Sequence, residues 1–318
     1  MKWNKRNIII ATFAIFILLS LIMGSLFMQK GLQTNNWEGL TNKITSQYNV
    51  QLPPENKICC LYCYYEKNEQ YKNNFIYFME NGILPTVNYY IIINGEQHDV
   101  NIDRIKNRNN INIIYRKNEG YDFGAYSDVI QNYMSQKYKY YFFINTSVIG
   151  PNFTPSNIQN DGTDKDWTKP FLSLFGEDND VKVVGTSVNI CNIKNPTIVE
   201  LYGDKPVYSH VQSMFFCIDD VYFNYLKNDI DFFNKTQIYE NIQDVIIRKE
   251  LGLSQYAINN GWNINCILSK YRGLDYRTID KNINFSSNEI GDPYFVGAYF
   301  GNTIEPYEVI FFKNSRFL

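Results

Sequence analysis

The chain has 318 residues, with 30 Lys and Arg against 32 Asp and Glu and a formal net charge of −2. Its lysines are scattered among the acids rather than gathered in a stripe, which excludes the electrostatic footprint of a nucleic-acid-binding protein. His98 and His210 are the only histidines, so a His-rich catalytic or metal centre is excluded as well.

In chain order, the first feature is an uninterrupted run of apolar and small residues over 8–28. As a helix it would be about 30 Å long, enough to cross a hydrocarbon core. Lys2, Lys5 and Arg6 precede it, so residues 1–7 are expected to form a cytoplasmic tail and 8–28 a single transmembrane anchor. A cleaved signal peptide is the alternative, but it would have a shorter apolar core and an Ala-x-Ala-like site, and only Gly24-Ser25 is present. Residues 29–56 are polar, hold Pro53-Pro54 and have no sustained apolar period; they read as a stem, or else as a first helix docked on the domain. Residues 57–318 then form one large α/β domain.

Within that domain the apolar runs predict strands over 57–65, 88–94, 111–116, 140–145, 182–186 and 213–218. Helical periods fall over 69–81, 124–137, 239–250 and 254–260, the last ended by Asn260-Gly261. Apolar strands alternating with helices imply a mainly parallel sheet covered on both faces. Cys59, Cys60 and Cys63 lie in the first strand, and Cys191, Cys217 and Cys266 are dispersed. They match no zinc spacing and read as buried thiols. Aromatic residues make up 16% of the chain, with 26 Tyr and 22 Phe. Tyr-rich surfaces suit sugars, since a ring stacks on C–H faces while its hydroxyl hydrogen-bonds, although many of these rings must simply fill the core.

Two segments carry the chemistry. Asn118-Glu119-Gly120-Tyr121-Asp122-Phe123-Gly124-Ala125 puts two glycines and an acid at a helix start, and the strand over 140–145 ends in Asn145-Thr146-Ser147 before Gly150-Pro151. Ligands of open α/β sheets bind beyond the carboxyl ends of the strands, and glycines let the backbone approach a phosphate or sugar closely. This pattern reads as the site of a nucleotide-sugar-using enzyme. No GxGxxG fingerprint of a redox dinucleotide is present.

The ordered segments Ile93-Asn94-Gly95, Asn118-x-Gly120-x-Asp122-x-Gly124-Ala125 and Asn145-x-Ser147-x-x-Gly150-Pro151 resemble the GT-A glycosyltransferase fold. More narrowly they are similar to the bacterial and viral glycosyltransferases related to the rhamnan synthesis protein F family. The segments beginning at His210, Glu250, Gly261 and Pro306 extend the likeness over most of 57–317. The resemblance implies transfer of a sugar, such as the deoxyhexose rhamnose, from a nucleotide-sugar donor to a glycan or glycoconjugate acceptor, with inverting chemistry favoured.

It also implies a donor pocket built from Asn94, Asn118, Gly120, Asp122, Gly124, Asn145 and Ser147. Asp122 would accept hydrogen bonds from sugar hydroxyls, cap the following helix, or both. Most GT-A enzymes end the equivalent of the fourth strand with Asp-x-Asp, which holds Mg²⁺ or Mn²⁺; here the slot reads Asn145-Thr146-Ser147, so a metal is either weakly bound with help from Asp122 or not used. Glu250 stands about eleven residues before Gly261-Trp262-Asn263-Ile264, where the resemblance puts the catalytic base. Its alternative is an ordinary surface Glu, with Asp219, Asp220 and Asp244 as other acids for the role. His210 and Gln212 are candidates for acceptor or phosphate contacts. Lys313 and Arg316 are cations that could stand in for a metal beside a diphosphate. The competing class is a non-catalytic carbohydrate-binding or assembly protein on a decayed transferase fold.

Overall fold

A computed structural model describes residues 57–153, 165–176, 180–192, 195–280 and 290–314. The expected tail, anchor and stem over 1–56, and Arg316, lie outside the described residues. Among the described residues no helix is long and apolar enough to cross a membrane.

The centre of the domain is the run Ile58–Tyr64 (β1), in which every residue is buried. A strand covered on both faces can be continuously apolar, and this one pairs in parallel with Val87–Asn94 (β2) on one side and Tyr140–Asn145 (β4) on the other. Ile111–Arg116 (β3) extends the sheet in parallel beyond β2. On the far side of β4 the direction changes. Phe215–Asp219 (β8) is antiparallel to both β4 and Val181–Gly185 (β5), and Asn263–Cys266 (β9) closes the edge in parallel with β5. The order is therefore β3-β2-β1-β4-β8-β5-β9. A separate antiparallel pair joins Val188–Cys191 (β6) to Tyr208–Val211 (β7), with the helix Pro196–Tyr202 between them in the chain.

This order has a functional corollary. The chain steps outward from β1 to β2 to β3 and then returns to the opposite side of β1 as β4, so the strand order reverses between β1 and β4. Crevices at such reversals, beyond the carboxyl ends of the strands, are where open α/β sheets take their ligands.

The helix Glu69–Asn81 (α1) starts where Asn68 accepts a hydrogen bond from the backbone of Tyr71 at 3.0 Å. It lays Phe75 and Phe78 on β1, with ring centroids 5.1 and 4.4 Å from Tyr62. Burial of each such ring contributes about 1.5–3 kcal/mol. A second aromatic layer covers the sheet where Trp167 and Phe171 meet Phe142, Phe215 and Phe311. Phe311 stacks on Phe215 at 4.6 Å, so the C-terminal segment is part of the core rather than a tail. It enters beside Gly150, where a Cβ would lie 2.7 Å from the Ile310 carbonyl oxygen.

Several boundaries differ from the sequence expectation. The helix expected over 124–137 runs Tyr121–Asn132 (α2), because Gly120 takes a left-handed conformation, φ 71°, and opens the helix at once. Asp122 therefore sits in the first turn and is not the cap. The helix expected over 239–250 is α-helical only over Ile242–Val245 and then widens into a π-helical turn, Ile246–Leu251, before Gly252–Asn259 continues as α-helix. The strand expected from 213 begins at Phe215, since Gln212, Ser213 and Met214 make the link from β7 to β8. Cys59, Cys60, Cys63, Cys217 and Cys266 are buried thiols, as expected.

Candidate active site

A cavity of about 540 Å³ opens at the carboxyl ends of β1, β2 and β4. Asn94, at the end of β2, donates to Asn118 Oδ1 at 2.8 Å and accepts from Arg116. Arg116 also donates to the Glu119 carbonyl at 3.0 Å. These three side chains shape the glycine turn and deliver Asn118, Tyr121 and Asp122 to the cavity wall. Gly124 is explained by packing, since a Cβ there would lie 2.3 Å from the Glu119 oxygen. Gly120 borders an adjoining recess of about 600 Å³ with Glu119, Ile238 and Glu240, and Tyr121, at φ 58°, lines both spaces. The Tyr121 hydroxyl donates to the Glu240 carbonyl at 3.0 Å, which ties the left-handed residue to the opposite rim.

The polar end of β4 is a connected lattice. Asn145 donates its amide N–H to Asp122 Oδ2 at 2.7 Å, while its oxygen accepts from Ser147 N at 3.0 Å and Ser147 Oγ at 2.6 Å. Thr146 Oγ1 accepts from the backbone of Tyr65 at 3.1 Å, and its carbonyl accepts from Asn74 Nδ2 at 2.9 Å. The other Asp122 oxygen accepts from Phe123 N at 3.0 Å.

Across the cavity stands Glu250, carried by the π-helical turn. Interruptions of this kind are frequent at functional sites, because the extra residue per turn re-aims a side chain. Ser213 Oγ donates to Glu250 Oε2 at 2.7 Å, and His210 Nε2 lies 3.7 Å from Oε1. His210 Nδ1 is 3.3 Å from the Tyr208 carbonyl, and Nε2 is the nitrogen that faces Glu250.

The two carboxyls are displaced in opposite directions. Burial pushes Asp122 above its ordinary value, opposed by the Asn145 hydrogen bond and reinforced by the negative charge of Glu250. Burial also pushes Glu250 upward, but His210, Ser213 and Lys313 together outweigh it and hold that carboxyl below its ordinary value. The environment thus favours the ionised form of Glu250 more than that of Asp122. Pairs of acids whose environments separate their pKa values are a common signature of divided catalytic roles.

Of the residues singled out in the sequence, Asn94, Asn118, Asp122, Asn145, Ser147, Glu250 and Lys313 line one cavity. His210 reaches it through Glu250. Gln212 does not line it: buried, it accepts from Ser187 Oγ at 2.6 Å and braces the turn after β7. Glu250 is half-buried rather than a surface residue. Asp219 and Asp220 are at the opposite end of β4, paired with Lys182 at 2.8 Å and Lys139 at 2.5 Å, so neither faces the cavity. Tyr65, Lys67, Tyr71, Ser213 and Ile246 also line the cavity and were missed. Tyr65 had a usable signal, being the first residue beyond the most apolar strand. Ser213 had none, since its place depends on the Glu250 contact.

The fold and site define a mixed α/β protein with a mostly parallel sheet and a polar, two-carboxylate cavity at its order reversal. No protein-family model and no curated protein matches this chain. Among solved structures it is similar to one described as the crystal structure of a glycosyltransferase involved in the glycosylation of the major capsid of PBCV-1. Identity is 12% over 60% of this chain and 74% of that chain, with a TM-score of 0.27.

Proposed function

We propose that this chain is a nucleotide-sugar-dependent glycosyltransferase acting on a glycan or glycoconjugate. One observation carries the reading: the polar ends of β2 and β4, the glycine turn and Glu250 converge on a single cavity at the order reversal of the sheet. The resemblance of the same segments to GT-A enzymes points the same way.

In this reading the wall formed by Asn94, Asn118, Asp122, Asn145 and Ser147 holds the donor, and the acceptor enters beside Glu250. The acceptor hydroxyl oxygen forms a bond to the anomeric carbon while the bond from that carbon to the β-phosphate oxygen breaks. Its electron pair leaves with the nucleoside diphosphate, and the hydroxyl proton passes to Glu250. Attack from the face opposite the departing diphosphate inverts the anomeric carbon. Ser213 and His210 orient the carboxylate and keep it ionised until it takes the proton. Residues 8–28 would anchor the enzyme in a membrane with its N-terminus in the cytoplasm.

The second reading, a carbohydrate-binding protein on a decayed transferase fold, is favoured by the neutral Asn145-Thr146-Ser147 strand end. The test is thermal unfolding of the full chain across a panel of nucleotide sugars, followed by transfer assays with any that bind. A ligand of the native state alone raises the melting temperature as ln(1+[L]/Kd). Transfer supports the enzyme; binding without turnover, across a broad acceptor panel and with or without Mn²⁺, selects the second reading. Absence of any stabilising nucleotide sugar overturns the transferase reading.

A further inference from the structure

The Asn145-Thr146-Ser147 strand end, where related folds hold a divalent cation, does not fit one. Hard cations need clustered oxygen ligands, mostly carboxylates. The only oxygen of the Asn145 side chain already accepts two hydrogen bonds from Ser147, and it is the amide nitrogen that faces Asp122. That carboxylate is therefore met by an N–H donor on one oxygen and by the Phe123 backbone on the other. Among the described residues no group of three or more His, Cys, Asp or Glu side chains is arranged to hold a metal ion.

A cation lines the same cavity. Lys313 lines the cavity, and the segment that carries it is held on both sides. Before it, Phe312 exchanges two backbone hydrogen bonds with Ile149, each 2.8 Å. After it, Asn314 Nδ2 donates to Asn74 Oδ1 at 3.1 Å, and Asn74 in turn donates to the Thr146 carbonyl at 2.9 Å. Phe311, just upstream, is anchored in the aromatic core. The lysine is thus tied to the polar end of β4 by contacts that reach the strand end itself. Among the described residues its ammonium has no carboxylate within salt-bridge distance, although it lies near enough to Glu250 to lower that carboxyl.

We infer that donor binding here is metal-independent, with the Lys313 ammonium as the counter-charge to the diphosphate of the nucleotide sugar. The inference rests on the transferase reading. The leaving nucleoside diphosphate gains one negative charge as the bond to the sugar breaks, and a cation carried into the cavity on a segment held at both sides stabilises that charge. A lysine serves as a point charge, so arginine at the same position preserves the function in part.

The test is calorimetric titration of the full chain with UDP, GDP, dTDP and CDP, each in EDTA and again in excess Mn²⁺. At least one nucleoside diphosphate is expected to bind with a Kd that changes less than twofold between the two conditions. Lys313→Ala should weaken it by tenfold or more, Lys313→Arg by less than threefold, and binding of the matching nucleoside should change less than twofold in either variant. A Kd at least tenfold tighter in Mn²⁺, or a Lys313→Ala chain that binds as the wild type does, overturns the inference and leaves the transferase reading standing. Failure of all four diphosphates to bind in either condition overturns the transferase reading, and the inference with it. The metal comparison is made on the wild-type chain, so it decides the matter even if the alanine variant misfolds.

Discussion

Asn74 and Asn314, separated by 240 residues of sequence, exchange side-chain amide hydrogen bonds, and Asn74 is almost fully buried while doing so. Because the same Asn74 amide also donates to the Thr146 carbonyl, one residue of α1 couples the C-terminal segment to the polar end of β4. Asn74→Leu, which has similar volume, should leave the Thr146 carbonyl and the Asn314 amide unpaired. The expected loss is about 1–3 kcal/mol of unfolding free energy, measured by urea titration, together with weaker nucleotide binding. Wild-type stability in the variant would show that this clamp contributes nothing.

Asp122→Ala and Asn145→Ala should each weaken nucleotide-sugar binding by about 1.5–3 kcal/mol while the far-ultraviolet circular dichroism stays unchanged. Both remove members of one lattice, so the double variant should lose less than the sum of the two. Unaltered donor affinity in both single variants, by calorimetry, removes the strand end from the donor pocket.

Glu250→Gln keeps shape and hydrogen-bonding capacity but cannot take a proton. Sugar transfer should fall by roughly 10²–10⁴ with donor affinity little changed. His210 is among the groups that hold Glu250 below its ordinary value, so His210→Gln should move the acid limb of the pH–rate profile upward. The sign for stability follows from the same shift. A depressed carboxyl contributes stability that is fully present above its unfolded pKa, about 4.3, and is lost as pH falls through the folded value. In His210→Gln that contribution should be smaller and its loss complete at a higher pH; an acid limb that does not move would show that His210 leaves Glu250 untouched.

Lys249 is buried, donates to the Phe232 carbonyl and lies 4.6 Å from the Phe232 ring centre, and burial lowers its pKa to about 8. A lowered ammonium pKa means that charging the folded state is costly. The penalty is full below about pH 8 and fades as pH rises toward the unfolded value near 10.4. Lys249→Met should therefore be most favourable relative to wild type at pH 7, with the difference in melting temperature shrinking by pH 10. A difference independent of pH would mean the ammonium is charged at no cost.

The strands that build the centre of the sheet were legible because burial on both faces demands unbroken apolar runs, as in Ile58–Tyr64 and Tyr140–Asn145. Helix Glu69–Asn81 was legible to the residue. The π-helical turn was not, since its composition is that of an ordinary helix and the widening is a matter of packing against β7 and the cavity. The β6–β7 pair was missed because its strands are only four residues long.

The sequence by itself determined which side chains have the chemistry of a donor pocket: small polar groups and an acid at strand ends, where the local pattern passes from apolar to polar. Only the tertiary structure decided which of them meet. Glu250 reaches the cavity because β8 runs antiparallel beside β4 and brings Ser213 and His210 under the turn. Gln212, two residues from His210, is turned away to Ser187. Lys313 arrives because Phe311 is buried in the core and Asn314 pairs with Asn74. Those contacts span tens to hundreds of residues, and a local pattern carries no record of a partner that far along the chain.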